Sequence, residues 1–301
     1  MSTHRVLICA VLLFAGSPVL ARDYQIRMIR PAKVAQKYEL VASAEESKQM
    51  TVSTKGRVVK EEKSSLSATC EGTITVLEFD KLDREVTFRL LVSKCRKRTN
   101  GNASEEEVLS KGTQVVVRRR DLKARFLIDG KDVSKDVEEV LFLIFSHSRS
   151  QETYDDMFGT KERKKVGDRW AMNSTKAAKV LAPEGLKVDP ENVKGSTKIE
   201  KLVVVEGTRC LQLSGKMKME LGTVLPRLPP GLPAELAVRK SILSLSFSGA
   251  FPVDISIGRL SEKMTMTRAF VAKGKPAPDA PEITLSMKMT KSRQMKRKFL
   301  K

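Results

Sequence analysis

The sequence predicts a mainly β protein: a curved antiparallel sheet or half-barrel of about a dozen strands, with a central helix packed on the concave side. Three observations predict it. Four segments of the C-terminal half alternate apolar and polar residues with a period of two, the pattern of a sheet with one wet face; a doubly covered parallel sheet reads as continuous apolar runs. Turn pairs such as Lys55-Gly56, Asn100-Gly101, Asp129-Gly130 and Glu206-Gly207 separate the alternating segments. Only in the middle of the chain does the apolar spacing change to that of a helix.

Composition bounds the rest. The chain has 301 residues, 56 Lys+Arg against 36 Asp+Glu and a formal charge of +20, with 41% hydrophobic residues. That suits a large core and excludes a wholly disordered chain or a multispanning membrane protein. Residues 1–21 read as a secretory signal: His4 and Arg5, then ten apolar residues from Val6 to Ala15, Pro18, and a cleavage site at Val19-Leu20-Ala21. The mature chain, residues 22–301, is expected to be exported to a bacterial periplasm or the extracellular space. It loses Arg5 and no acid, and contains no transmembrane segment, since its strongest apolar run, Val140 to Phe145, has six residues.

The elements follow in order. Tyr24, Ile26 and Met28 alternate as a short strand, and Tyr38 to Ala42 and Met50 to Ser53 are two further runs. A long strand from Leu66 to Phe79 turns through Asp80 to Asp83 onto Val86 to Val92. Val115 to Val117 and Phe126 to Ile128 make a hairpin with Arg118 to Lys123 at its tip. A helix follows: Ser134 as N-cap, acids Asp136, Glu138 and Glu139 in its first turn, and an apolar stripe of Val137, Val140, Leu141 and Ile144. Shorter helices are expected over Ser150 to Phe158 and Ser174 to Leu181. Strands resume at Leu202 to Glu206, Leu211 to Leu221, Leu243 to Phe251, Met264 to Phe270 and Ile283 to Met289, with Pro226 to Pro233 a rigid loop. Two lobes, 22–130 and 190–301, joined by a helical segment, 131–189, are an alternative organisation.

Three cysteines remain after residue 21. Cys70 and Cys95 flank the first long hairpin, but alternation counted from Gly72-Ile74-Val76 and Phe88-Leu90-Val92 puts them on opposite faces. Unpaired buried thiols are therefore expected, a disulfide requiring a bulge to restore the register.

The segment Gly159 to Trp170, with its Val166-Gly167-Asp168-Arg169-Trp170 turn after a helical insertion, resembles one seen in uncharacterised secreted bacterial β proteins whose sheets are similar to lipoprotein-carrier half-barrels. The resemblance implies an extracytoplasmic, non-catalytic sheet with a hydrophobic concavity, and carries over no catalytic residue. Read from its residues alone, the segment is a turn presenting Trp170 to a core.

Three Met-x-Met pairs, Met217/Met219, Met264/Met266 and Met287/Met289, occupy the apolar sides of C-terminal strands. Together with Val137, Val140, Leu141 and Ile144 they are candidates for an adaptable apolar pocket. Thioethers also suit Cu(I), but a copper site needs the three strands to be neighbours. Arg118, Arg119, Arg120, Lys164 and Lys165 are candidates for an anionic partner: lipid, lipopolysaccharide or an envelope surface. Aromatic residues are 5% of the chain, too sparse for the stacking that nucleic-acid binding uses. His147, the one histidine after residue 21, suits a helix C-terminus, and Asp155-Asp156 a helix N-terminus. No catalytic residues and no cofactor are expected. The sequence therefore points to an exported, non-enzymatic protein that binds an amphipathic anion in an apolar concavity, or to a structural or surface-interaction protein with a filled core. It sets no oligomeric state.

Overall fold

The computed structural model describes residues 22–30, 33–82, 84–102, 104–120, 123–145, 152–181, 188–221, 236–275 and 279–300. The expected signal segment, residues 1–21, together with His147 and the proline-rich stretch 226–233, lies outside them. The described residues form thirteen strands: β1 (Lys37–Thr54), β2 (Arg57–Phe79), β3 (Glu85–Thr99), β4 (Glu106–Leu109), β5 (Gln114–Arg120), β6 (Lys123–Ile128), β7 (Lys131–Asp132), β8 (Arg169–Ala171), β9 (Val193–Val205), β10 (Thr208–Glu220), β11 (Ala237–Pro252), β12 (Ser261–Gly274) and β13 (Ile283–Phe299). Between β7 and β9 lie helices α1 (Lys135–Phe145), α2 (Tyr154–Phe158) and α3 (Ser174–Leu181).

All strands belong to one curved, unclosed antiparallel sheet ordered β7-β6-β5-β3-β2-β1-β13-β12-β11-β10-β9-β8, with β4 beside β3. The N-terminal half of the chain builds one side and the C-terminal half the other. They join where β13 pairs with β1 from Tyr38 opposite Phe299 to Thr54 opposite Ile283.

Several strands are longer than their apolar alternation. β1 runs unbroken through Ser43 to Gln49, because Glu46 and Lys48 hold the inner parity begun by Leu40, Ala42 and Ala44 and are paired there: Glu46 lies 2.6 Å from Lys48 and 2.7 Å from Lys291. β13 extends through the basic C-terminal run for the same reason. Arg118 and Arg119 lie in β5 itself and not at a hairpin tip. The Tyr24 to Met28 alternation does not make a strand; a single bridge between Tyr24 and Lys164 pins it, and its apolar side chains join a core instead.

The covered face holds two main cores. In the first, α1 lies over β1, β2, β4 and β6, burying Val140, Leu141 and Ile144 of the predicted stripe, with Leu143 and Phe145 in addition; Val137 packs at its margin. Ser134 starts the helix: its carbonyl accepts from Glu138 N at 2.9 Å and its hydroxyl from Val137 N at 3.4 Å. Each fully buried aliphatic side chain here contributes roughly 1.5–3 kcal/mol. In the second core, α2, α3 and residues 24–28 cover β9 to β11. Phe158 is completely buried, its ring edge-on to Phe247 at 4.9 Å, while its carbonyl accepts from Trp170 Nε1 (2.8 Å) and Thr197 Oγ1 (2.9 Å). The Val-Gly-Asp-x-Trp turn thus presents Trp170 to this core, with Gly167 at φ 95°. A third, smaller cluster of Leu236, Val238, Phe270, Ala272 and Leu285 sits at the far end of β11 to β13.

Asp155 and Asp156 divide the work of holding α2. Asp156 completes a capping box with Thr153. Asp155 instead accepts the backbone N–H groups of Met28 (2.5 Å) and Ile29 (2.9 Å) and so anchors the N-terminal segment. Cys70 and Cys95 correct the alternation count. They stand directly opposite each other on one face, because register shifts at Glu71/Gly72 move β3 by one residue; all three described cysteines are buried thiols.

Candidate functional site

The candidate site is the stretch of the covered face between the two helix-capped cores, on β12, β13 and β1. Opposed residues of antiparallel strands share a face, so the register defines its rows. One row runs Met217, Leu245, Met266, Lys291, Glu46 across β10, β11, β12, β13 and β1. The next runs Met219, Leu243, Arg268, Met289, Lys48. Beyond it Phe270, Met287 and Met50 stand in line. The first two rows are buried at their β10 end and emerge as they cross to β1, and the third emerges from buried Phe270: Met217 and Met219 are buried in the second core, Met266, Arg268, Met287, Met289 and Lys291 are half-buried, and Lys48 is exposed. The result is a half-exposed strip in which thioethers alternate with cations. Its one acid in these rows is Glu46, which burial alone would raise; its hydrogen bonds to Lys291 and Lys48 bring it below the usual carboxylate range.

One end of the strip is closed by a buried charge cluster. Glu262, 6% exposed, accepts from Arg259 at 2.9 Å and faces Arg293 at 3.9 Å. Burial pushes its carboxyl up, but the guanidiniums of Arg259, Arg293 and Arg297 outweigh it and hold the acid below its usual range. Arg297 lies 3.5 Å from Glu85 and 4.9 Å from the centre of the Tyr38 ring, while the Tyr38 hydroxyl donates to Glu85 at 2.9 Å. Arg119 donates to the carbonyls of Glu85 (3.1 Å) and Phe145 (3.2 Å) and stacks over Phe88 at 5.0 Å; burial lowers its pKa to about 10. Arg293 reaches the Ile144 carbonyl at 3.4 Å. Arg119 and Arg293 therefore supply the positive charge at the C-terminus of α1 that complements its dipole.

The sequence candidates separate accordingly. Met264, Met266, Met287 and Met289 fall on adjacent strands and share a face; Met264 Sδ also accepts from the Tyr154 hydroxyl at 3.6 Å. Met217 and Met219 do not join them, since β11 intervenes, so the three-pair Cu(I) site is not formed: its requirement of three neighbouring strands fails. Val137, Val140, Leu141 and Ile144 belong to the first core and line no part of the strip. The basic candidates form no single patch. Arg118 is exposed on β5 and Lys165 is exposed beside β9, eight strands away along the sheet. Arg119 faces inward as described, Lys164 pairs with Glu162, and the side chain of Arg120 lies outside the described residues. Arg268, Lys291, Arg293 and Lys48 were the residues missed. Their signal was present: each keeps the parity of the methionines, as in Met264-x-Met266-x-Arg268 and Met287-x-Met289-x-Lys291-x-Arg293.

The opposite face is polar. Two open depressions there, of about 620 and 360 Å³, are lined by lysines and hydroxyl residues including Lys194, Lys216, Lys218, Ser244 and Thr267 in the larger, and Ser47, Lys63 and Thr290 in the smaller. No described helix is long and apolar enough to cross a membrane.

No protein-family model matches the sequence, and no curated protein does. Among solved structures, the chain is similar to lipovitellin, from a study of its lipid–protein interactions, at a TM-score of 0.35 and 7% identity over 88% of this chain, which spans 25% of that chain's length. An outer membrane channel from Pseudomonas putida F1 aligns at a TM-score of 0.19 and 7% identity, over 90% of this chain and 98% of the other. A LolA superfamily protein from Nitrosomonas europaea aligns at 0.13 and 11% identity, over 91% and 90%.

Proposed function

We propose that this chain is an exported, non-enzymatic binding protein for an amphipathic anion, a lipid or acylated peptide with an acidic head group, held on the strip between the two cores. The observation that carries the reading is the register: Met266, Met289, Met287 and Met50 lie on one half-exposed face in alternation with Arg268, Lys291 and Lys48. Unbranched thioether side chains adapt to an acyl chain of variable shape, and the cations beside them meet the head group through charge-assisted hydrogen bonds. Export is supported by the signal pattern of residues 1–21, and the non-enzymatic part by the sequence chemistry, with one histidine after that segment.

The test is titration of the purified protein with lysophosphatidylglycerol and with lysophosphatidylcholine, followed by Trp170 fluorescence and by calorimetry, below the micelle concentration. The anionic lipid is expected to bind at least about tenfold more tightly, a difference of about 1.4 kcal/mol. Met289→Glu, which places a carboxylate in the strip, is expected to abolish binding with the fold retained. Equal weak binding of both lipids, or none, would leave the filled-core structural protein as the function.

A further inference from the structure

Cys70 and Cys95 are placed for a covalent bond that simple alternation forbids. On β3, Val92 opposes Gly72 and Lys94 opposes Glu71, so Ser93 is an added residue that switches the parity of everything after it. Gly72 makes the bulge feasible: a Cβ there would lie 2.3 Å from the Leu91 carbonyl oxygen. The shift brings Cys70 directly opposite Cys95. Opposed residues of an antiparallel pair have Cα atoms about 4.5–5.5 Å apart, inside the range of about 4.4–6.8 Å that a disulfide spans. Both side chains are sealed, at 0% and 1% exposure. Cys210 is five strands from Cys70 and donates instead to the Thr208 carbonyl at 3.4 Å.

We infer that Cys70 and Cys95 are a disulfide site, oxidised as the sheet folds in the presence of a small-molecule disulfide, and that Cys210 remains a thiol. The Cys95 thiolate attacks one sulfur of the oxidant and releases the first thiol, giving a mixed disulfide; the Cys70 thiolate then displaces the second. The two cysteines lose two protons and two electrons, and the oxidant leaves as two thiols. The exchange precedes closure of the first core, because the folded protein leaves neither sulfur open to attack. The odd number of cysteines after residue 21 then resolves into one pair and one buried single thiol.

The experiment refolds the reduced full chain from urea in a mixture of oxidised and reduced glutathione, counts thiols in denaturant and maps linked peptides by mass spectrometry. The expected result is two thiols lost from the four cysteines of the sequence, a Cys70–Cys95 linked peptide, a raised urea midpoint, and reduction by dithiothreitol no faster than unfolding. Cys210→Ser is expected to leave the linkage unchanged. Four titratable thiols in refolded chain of native fluorescence, or a bridge that uses Cys210, would overturn the inference. Because wild-type protein carries the measurement, it stands even where Cys70→Ser or Cys95→Ser does not fold, and it is independent of lipid binding.

Discussion

Replacing Glu262 by Ala removes the anion around which the central charge cluster is arranged. The carboxylate is 6% exposed, 2.9 Å from Arg259 and 3.9 Å from Arg293, so water replaces little of what is lost. Removing one partner of a buried pair costs about 3–5 kcal/mol, chiefly because the other charge is left desolvated and uncompensated. Glu85 still faces Arg297 at 3.5 Å, which places the expected loss at the lower end, about 3 kcal/mol. Urea unfolding at pH 7, followed by the single tryptophan, measures it as a lower midpoint with an unchanged slope. Glu262→Gln retains an acceptor for Arg259 without the charge and is expected to lose less. The pH dependence has a definite sign. Because the folded-state pKa of Glu262 is depressed below its ordinary 4.5, its contribution is present above that value and is lost as pH falls through the folded pKa. The stability gap between wild type and Glu262→Gln should therefore narrow below about pH 4.5. A loss under about 1 kcal/mol for the alanine variant, the level of an exposed pair, or a gap that does not change with pH, refutes the reasoning.

Phe158→Ala empties the site between Tyr154 and Phe247 and should cost about 3–5 kcal/mol in urea unfolding. Gly72→Ala forces a Cβ against the Leu91 carbonyl, backbone that cannot swing aside; a loss of about 1–3 kcal/mol is expected, and a neutral outcome would mean that the bulge relaxes. Converting Glu46 and Lys291 together to Leu removes a partly buried pair from the strip and should leave stability within about 1 kcal/mol of wild type or raise it, while Arg268 and Lys48 keep the preference for the anionic lipid in the same titration. Arg118→Glu and Lys165→Glu should weaken adsorption to anionic vesicles additively, since the two side chains lie eight strands apart along the sheet and exposed charges are screened over about 8 Å at physiological salt.

The fold class was legible because a one-sided sheet imposes its period on every strand. Where strands outran the prediction, the inner parity had passed from apolar to charged residues: Glu46 and Lys48 in β1, and Lys291, Arg293 and Arg297 in β13, keep the face while losing hydrophobicity. The helix α1 was readable from Ser134 and its stripe, and α3 from its bounds. The bulge was not, because Ser93 carries no local mark and its effect appears only when β3 is laid against β2. The candidate site was half legible: the methionines are visible as a pattern, but the cations that continue their parity carry no apolar mark of the covered face. Which strands adjoin was also hidden, since β13 lies beside β1, at the far end of the sequence.

That adjacency bears on why cations occupy the strip. Charged side chains on the inner parity of an edge strand protect it from pairing with other chains, but β12, β13 and β1 are central strands paired on both sides, so this explanation does not reach them. Nor do the residues act as a wet face, because the wet face is the other one, lined by Ser244, Thr267 and Thr290. A sheet selected only for stability would continue the apolar inner parity of β10 and β11 through these strands and extend the second core to meet the first. Arg268 and Lys291 interrupt it at the two rows where Met266 and Met289 emerge from cover. An apolar surface interrupted at regular intervals by cations resists collapse onto a helix, whose apolar stripe would have to desolvate them. The same surface suits a ligand that carries its own compensating negative charge.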